Sequence, residues 1–83
     1  MTENEIRDRI VAILKSIAPE ADLSTLQPGR NLRDQLDIDS MDMLNFVIAI
    51  DSELQLAIPE SEYSRLTTLD DCVRYVTGRL GSE

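Results

Sequence analysis

The sequence predicts a small all-α protein, a bundle of three main helices plus a short one. Apolar residues make up 42% of the chain while aromatic residues make up 4% and Trp is absent, which suits packed aliphatic helices better than a sheet. Apolar residues also recur at helical spacing in three separate segments. Since the chain has 83 residues, we expect a single domain, residues 1–83, with its core at about 4–80.

The first helix is predicted over residues 3–18. Thr2 and Glu5 have the spacing of a capping box, in which two side chains satisfy free backbone N–H groups of the first turn. Pro19 cannot continue the helix and ends it. The apolar stripe between these signals comprises Ile6, Ile10, Ile13, Leu14 and Ile17.

A long connection follows over residues 19–39, interrupted by Pro19, Pro28 and Gly29. We expect one helical turn in it, at 31–36. A connection of this length in a compact domain is often functional. Its apolar residues are expected to pack against the bundle; they are Leu23, Leu26, Leu32, Leu36 and Ile38.

The second helix is predicted from Asp39 and Ser40 to about Leu54. Asp39 is a favourable N-cap, and a carboxylate at Asp42 suits the positive end of the helix dipole. Its core face comprises Met43, Phe46, Val47, Ile50 and Leu54.

Two further helical segments are predicted towards the end of the chain. Pro59 opens a short one over 59–65, in the first turn, where proline is tolerated. Thr67 or Thr68 caps the last helix, and Gly81 ends it. The buried stripe of the last helix is predicted to comprise Leu69, Cys72, Val73, Val76 and Leu80.

The second helix carries a second apolar stripe, formed by Met41, Leu44 and Ile48, about 140° from the core face by helical geometry. A small open bundle does not easily bury both faces of one helix. Either the connection 19–39 covers the stripe, or the stripe is exposed and docks on partner proteins. An apolar strip bordered by charge is typical of an interaction surface. The bordering acidic residues are Asp37, Asp39, Asp42, Asp51 and Glu53.

Charge and composition exclude several function classes. With 8 basic against 16 acidic residues and a net charge of −8, the chain does not suit nucleic acid or an anionic membrane surface. A basic patch on another protein is the complementary partner, although solubility alone also explains an acidic surface. No apolar run is long enough for membrane insertion, and the first five residues lack a signal-peptide pattern. We expect a cytoplasmic monomer.

The residue inventory also argues against an enzyme. His is absent, which removes the usual general base, a Ser-His-Asp triad and a His-ligated metal site. Asp37 and Asp39 have the spacing of the first calcium ligands of an EF-hand, but Asp42 stands where glycine is needed and Ile48 where the last ligand belongs. The single cysteine, Cys72, cannot form an internal disulfide and is expected in the core.

Ser40 is the candidate functional residue. A serine after an aspartate at a helix start usually only caps the helix, and without a histidine Ser40 cannot activate itself as a nucleophile. Lys15, the only lysine, lies on the first helix. Another protein must therefore activate Ser40 if it reacts. A phosphate ester suits the position, because free N–H groups and the helix dipole stabilise phosphate there.

Residues 36–42, of sequence LDIDSMD, resemble the attachment motif of acyl carrier proteins and related peptidyl carrier domains. Residues 58–60 (IPE) and 66–69 (LTTL) stand where that family has its short third helix and the start of its last helix. The leading helix and the long first loop match as well. The resemblance covers about residues 4–80.

The resemblance implies that a phosphopantetheinyl transferase links 4′-phosphopantetheine to Ser40, beside Asp39. The thiol of that arm carries acyl groups as thioesters, set in place by a loading enzyme. The carrier, without catalysis of its own, presents them to synthases or acyltransferases of fatty-acid, polyketide or specialised lipid synthesis. The second helix would dock on their basic patches. By position, the acidic recognition residues are Asp39, Asp42, Asp51 and Glu53, and the apolar contacts are Met41 and Ile48.

Three residues depart from the pattern of the family. Asp37 stands where glycine is usual, Met41 where leucine is common, and Asn45 where many fatty-acid carriers have glutamate. Asp-Ser-Met also occurs in carriers of D-alanine and other amino acids, so an aminoacyl, D-alanyl or peptidyl carrier is an alternative. An unmodified helical adaptor that only binds partner proteins is an alternative of another class.

Overall fold

The computed structural model describes residues 2–80 and confirms the all-α prediction. The three long helices are α1 (Glu3–Ile17), α3 (Ser40–Leu54) and α4 (Leu69–Leu80). A short helix α2 (Leu32–Leu36) lies in the first connection, at the predicted helical turn. Two 3₁₀ helices complete the described chain, the first at Leu23–Thr25, which the sequence analysis did not predict, and the second at Glu60–Arg65.

The capping box predicted at the start of α1 is present. The Thr2 backbone N–H donates to Glu5 Oε1 over 2.7 Å, and the Glu5 N–H donates to Thr2 Oγ1 over 3.2 Å. The hydrogen bond from the Thr2 backbone lowers the pKa of the Glu5 carboxyl below its usual value, because it stabilises the ionised form. The helix ends at Ile17, one residue before the predicted end, and Ile17 is only partly buried.

The core lies where α1 packs against both α3 and α4. Its largest fully buried side chain is that of Phe46 on α3. Cys72 on α4 is also fully buried, and burial, with a smaller contribution from the Asp71 charge, raises the pKa of its thiol to about 12. The thiol therefore stays protonated at neutral pH and packs as a small apolar side chain, as predicted.

The first connection packs against the bundle, as expected. Its backbone joins the start of α4, because the Leu32 N–H donates to Thr67 O over 2.8 Å and the Asp70 N–H donates to Pro28 O over 3.0 Å. Leu32 and Ile38 are buried. The other three predicted apolar residues are partly buried against the core, namely Leu23, Leu26 and Leu36.

The end of the chain differs from the prediction at two positions. Leu80, predicted in the buried stripe of α4, is 39% exposed, because it lies on the last turn, past the last buried residue, Val76. Pro59 is the N-cap of the second 3₁₀ helix rather than its first residue. Thr68 caps α4, since its Oγ1 accepts from the Asp71 N–H over 2.9 Å. The predicted C-terminal cap, Gly81, lies outside the described residues.

Tyr75 on α4 is buried, and its hydroxyl links two charged side chains. The hydroxyl donates to Glu62 on the second 3₁₀ helix and accepts from Arg79 Nη1 over 2.7 Å. Arg79 also donates from Nη2 to the Leu56 carbonyl over 2.7 Å. Burial is the main cause that raises the pKa of Tyr75 above its usual value. These bonds attach the second 3₁₀ helix and the loop before it to α4.

Added salt is expected to raise the melting temperature by a few degrees at neutral pH. The net charge is −8, and ion pairs within residues 2–80 engage only four carboxylates, those of Glu53, Glu62, Asp70 and Asp71. Screening therefore weakens a net repulsion in the folded state. Thermal melts in NaCl and in MgCl₂ at matched ionic strength measure the effect. A flat response to both salts would show that the carboxylates are already compensated.

None of the α-helices found between residues 2 and 80 combines the length and the apolar character that crossing a membrane requires.

Candidate functional site

Ser40 is the first residue of α3, and its side chain is exposed. Asp39 caps the helix, because its Oδ1 accepts from the Asp42 N–H over 2.8 Å, and its carbonyl accepts from the Met43 N–H over 3.0 Å. The Ser40 hydroxyl has no hydrogen-bond partner among residues 2–80. Since Asp39 provides the cap, Ser40 is not needed for capping, and its oxygen is accessible to another protein.

Asp37 connects α2 to the start of α3 in a left-handed backbone conformation, with φ 55° and ψ 41°. Glycine adopts this conformation without strain, whereas other residues pay about 1–2 kcal/mol, and Asp and Asn are the side chains that tolerate it best. The resemblance to carrier proteins implies glycine at this position, and the backbone conformation is one that glycine readily adopts. The same conformation explains why aspartate is an acceptable replacement.

A groove of about 260 Å³ lies beside Ser40, between α3 and the second 3₁₀ helix. Most of its surface is apolar, contributed by Met43, Leu44, Val47 and Leu66. Met43, which we predicted in the core, is only partly buried because it lines this groove. The polar residues of the lining are Arg33, Ser40, Tyr63, Ser64 and Thr67.

The second apolar stripe of α3 is exposed. Met41 is 61% exposed, Leu44 39% and Ile48 47%. The helical periodicity left two interpretations open: the connection 19–39 covers the stripe, or the stripe is exposed. The structure excludes coverage and confirms exposure. Leu44 also lines the groove, so the stripe and the groove share an edge.

The acidic residues predicted to border the stripe differ in what they contact. Asp37 and Asp39 are exposed at the head of α3, and Asp42 is partly buried there. Glu53 is exposed and forms a long ion pair with Arg9 of α1, with 3.8 Å between Oε1 and Nη2. These four carboxylates lie on the surface of the protein.

Asp51 has a structural role that the sequence analysis did not predict. Its Oδ1 accepts from the Ala57 N–H over 3.1 Å and its Oδ2 accepts from the Ile58 N–H over 3.0 Å. The loop it holds contains two non-glycine residues with positive φ, Gln55 at 56° and Ala57 at 55°. The carboxylate thus stabilises a strained loop after α3, with one hydrogen bond accepted by each of its oxygens.

Replacing Asp51 with alanine is expected to lower the free energy of unfolding by about 1–2 kcal/mol, because two loop N–H groups lose their acceptor. In a domain of this size this lowers the melting temperature by roughly 5–10 °C. Glu53→Ala is the matched control, which removes the same charge from the same helix and is expected to cost less than about 0.5 kcal/mol. Equal melting temperatures for the two variants would contradict the structural role of Asp51.

No three His, Cys, Asp or Glu side chains within residues 2–80 are placed to hold a metal ion, and the chain contains no His to act as a base for Ser40. What the site provides is an accessible hydroxyl at a helix N-terminus beside an apolar groove. This arrangement fits a covalent phosphate-linked arm.

Sequence reasoning missed the groove residues outside α3, which are Arg33, Tyr63, Ser64, Leu66 and Thr67. Helical periodicity shows which residues of one helix share a face, but not which other element meets that face. No signal in the local pattern distinguishes these five residues from their neighbours in sequence.

Comparison with known proteins agrees with the geometry. A family model described as phosphopantetheine attachment site matches residues 8–76. The acyl carrier protein of Acidothermus cellulolyticus is 31% identical over 78 residues, which cover 92% of this chain and 89% of that protein. The acyl carrier protein of Lactobacillus acidophilus is 28% identical over 81 residues, 98% of this chain and 100% of that protein.

A plant relative is longer than this chain. Acyl carrier protein 2, mitochondrial, of Arabidopsis thaliana is 26% identical over 76 residues, which cover 92% of this chain but only 60% of that protein. The shared region nevertheless includes almost all of this chain, as it does in the two bacterial proteins. The chain therefore belongs to the acyl carrier protein family, whose prosthetic group is covalently attached 4′-phosphopantetheine.

Proposed function

We propose that Ser40 is the attachment point of 4′-phosphopantetheine and that the protein carries acyl groups between enzymes. The observation that carries this proposal is the accessible Ser40 hydroxyl, which the helix cap does not use, beside a mostly apolar groove. When bound, the prosthetic group supplies a thiol that holds acyl groups as thioesters. The chain supplies position and recognition, with no catalytic activity of its own.

The location of Ser40 supports an ester with a phosphate. The first backbone N–H groups of a helix have no partner within the helix, and the dipole adds positive potential there. At the start of α3, the Asp39 cap accepts the Asp42 N–H and the Asp39 carbonyl accepts the Met43 N–H. The two earlier N–H groups, of Ser40 and Met41, remain to stabilise a negative charge.

The exposed face of α3 is the proposed docking surface. It combines an apolar stripe with acidic side chains and consists of Met41, Leu44, Ile48, Asp37, Asp39, Asp42 and Glu53. Asp51 is also part of this surface, because it is partly exposed and each of its oxygens accepts one loop hydrogen bond and keeps a lone pair for a partner. The complementary partners are enzymes with basic patches: a phosphopantetheinyl transferase, a loading enzyme, and synthases or acyltransferases. Such charge complementarity speeds association and weakens with added salt.

The apolar lining of the groove favours one class of cargo over another. Its apolar lining, from Met43, Leu44, Val47 and Leu66, suits an acyl chain better than a charged amino acid, because an ammonium group loses hydration on apolar surface. We therefore place acyl cargo before aminoacyl, D-alanyl or peptidyl cargo. Trapping the loaded protein from its native cells and identifying the thioester by mass spectrometry decides between them.

The attachment itself is tested with coenzyme A and a broad-specificity phosphopantetheinyl transferase. Intact mass is expected to rise by one phosphopantetheine, and fragmentation is expected to place it on the peptide that contains Ser40. No mass gain would refute the proposal and favour an unmodified adaptor. We also propose that the protein is a cytoplasmic monomer. The buried, unpaired thiol of its single cysteine suits a reducing compartment.

A further inference from the structure

Arg33 lines the same groove as Ser40 and is the one basic residue among the described residues of its lining. It lies near the start of α2 and is exposed. Its guanidinium takes part in no ion pair among residues 2–80; the arginines that do are Arg7, Arg9, Arg74 and Arg79. A guanidinium without an ion-pair partner among residues 2–80 therefore lines the same groove as the proposed attachment point.

The backbone that carries Arg33 is fixed in place. Asn31 caps α2, with its Oδ1 accepting from the Arg33 N–H over 2.9 Å. Leu32, the residue just before Arg33, is fully buried, and its N–H donates to Thr67 O over 2.8 Å. Only the side chain of Arg33 has to be ordered when it binds an anion, which limits the entropic cost of that contact.

The negative charges at the head of α3 create a repulsion that the Arg33 guanidinium could offset once Ser40 carries a phosphate. Asp37, Asp39 and Asp42 surround Ser40 in sequence and place three carboxylates at the head of the helix. A phosphodiester on Ser40 adds a further negative charge, which these carboxylates repel. The helix N-terminus offsets part of the repulsion. A guanidinium fits a phosphate better than an ammonium does, because it donates two parallel hydrogen bonds.

We propose that Arg33 binds the phosphodiester attached to Ser40 and holds the beginning of the arm over the groove. This inference rests on the proposed attachment at Ser40. Arg33 would act as a positioning residue that compensates the phosphate charge, so its contribution exists only after modification. The unmodified protein would not depend on it.

The test compares the melting temperatures of the unmodified and the modified protein. Wild type, Arg33→Gln, Arg33→Lys and the control Arg30→Gln are each measured in both forms at low salt. Arg30 is exposed in the same connection, does not line the groove, and loses the same charge in its variant. Because each variant is compared with its own unmodified form, purely structural effects of a substitution cancel.

In Arg33→Gln, the change in melting temperature on modification is expected to be lower than in wild type by roughly 2–5 °C at low salt. The difference should shrink at high salt. Arg30→Gln should behave like wild type, and Arg33→Lys should lie between the two. The ³¹P resonance of the modified protein should also shift in Arg33→Gln and remain in place in Arg30→Gln.

Two results would overturn the inference while leaving the attachment intact. One is an Arg33→Gln protein that gains the full mass and shows the same change in melting temperature and the same ³¹P resonance as wild type. The other is an equal reduction, in Arg33→Gln and Arg30→Gln, of the change in melting temperature on modification. This would indicate an effect of the overall positive charge rather than a contact of Arg33 with the phosphate. Failure of wild type to gain mass is a separate outcome, because it refutes the attachment at Ser40 itself.

Discussion

Replacing Ser40 with alanine is expected to abolish the mass gain on incubation with coenzyme A and a phosphopantetheinyl transferase. The loss is complete rather than partial, because the reacting oxygen is removed. The fold should be retained, since the Ser40 hydroxyl has no hydrogen-bond partner among residues 2–80 and Asp39 forms the cap. We expect the free energy of unfolding to change by less than about 0.5 kcal/mol. Intact mass and thermal melts measure the two effects.

Ser64→Ala is the matched control for this prediction. Ser64 is an exposed serine that lines the same groove, but it lies on the second 3₁₀ helix rather than at the N-terminus of α3. The variant should gain the full mass. Modification of Ser40→Ala, or loss of modification in Ser64→Ala, would place the attachment elsewhere.

Truncating the apolar stripe of α3 is expected to slow modification strongly. In the double variant Leu44→Ala, Ile48→Ala, kcat/KM for the transferase should fall by at least about tenfold, because apolar anchors at the centre of an interface each contribute about 1–2 kcal/mol. Both side chains are exposed, at 39% and 47%. Their truncation should therefore lower the melting temperature little. Initial rates at several carrier concentrations measure the effect.

Leu80→Ala is the control for the stripe. Leu80 has the same exposed fraction as Leu44, 39%, but lies on α4. Its truncation should leave kcat/KM unchanged. Equal rates for the double variant and wild type, with both folded, would show that the transferase does not contact the stripe.

Much of the local structure was predictable because it depends on neighbouring residues. The capping box of Thr2 and Glu5 and the Asp39 cap each involve residues within three positions of one another, and all are present in the structure. The helical stripes were predictable for the same reason, since periodicity is a local property. Periodicity wrongly predicted that Leu80 is buried, because burial also requires another element of the fold to cover the side chain.

Asp51 shows the same limit at the proposed docking surface. Its position on α3 placed it among the acidic recognition residues, and the sequence pattern did not reveal the loop N–H groups that its carboxylate accepts. The loop turns back towards α3 through two residues with positive φ, Gln55 and Ala57. Neither is glycine or asparagine, so the turn carried no recognisable local signal.

The sequence by itself determined the helical class, the caps, the acidic charge and the position of Ser40 at the head of α3, because these follow from composition and from contacts between near neighbours. The tertiary structure decided that the stripe of Met41, Leu44 and Ile48 stays exposed and that Arg33 and the second 3₁₀ helix meet α3 at a groove beside Ser40. Those outcomes depend on how segments distant in the chain pack against one another. Packing of that kind is set by the shape and burial of the whole core rather than by any local pattern.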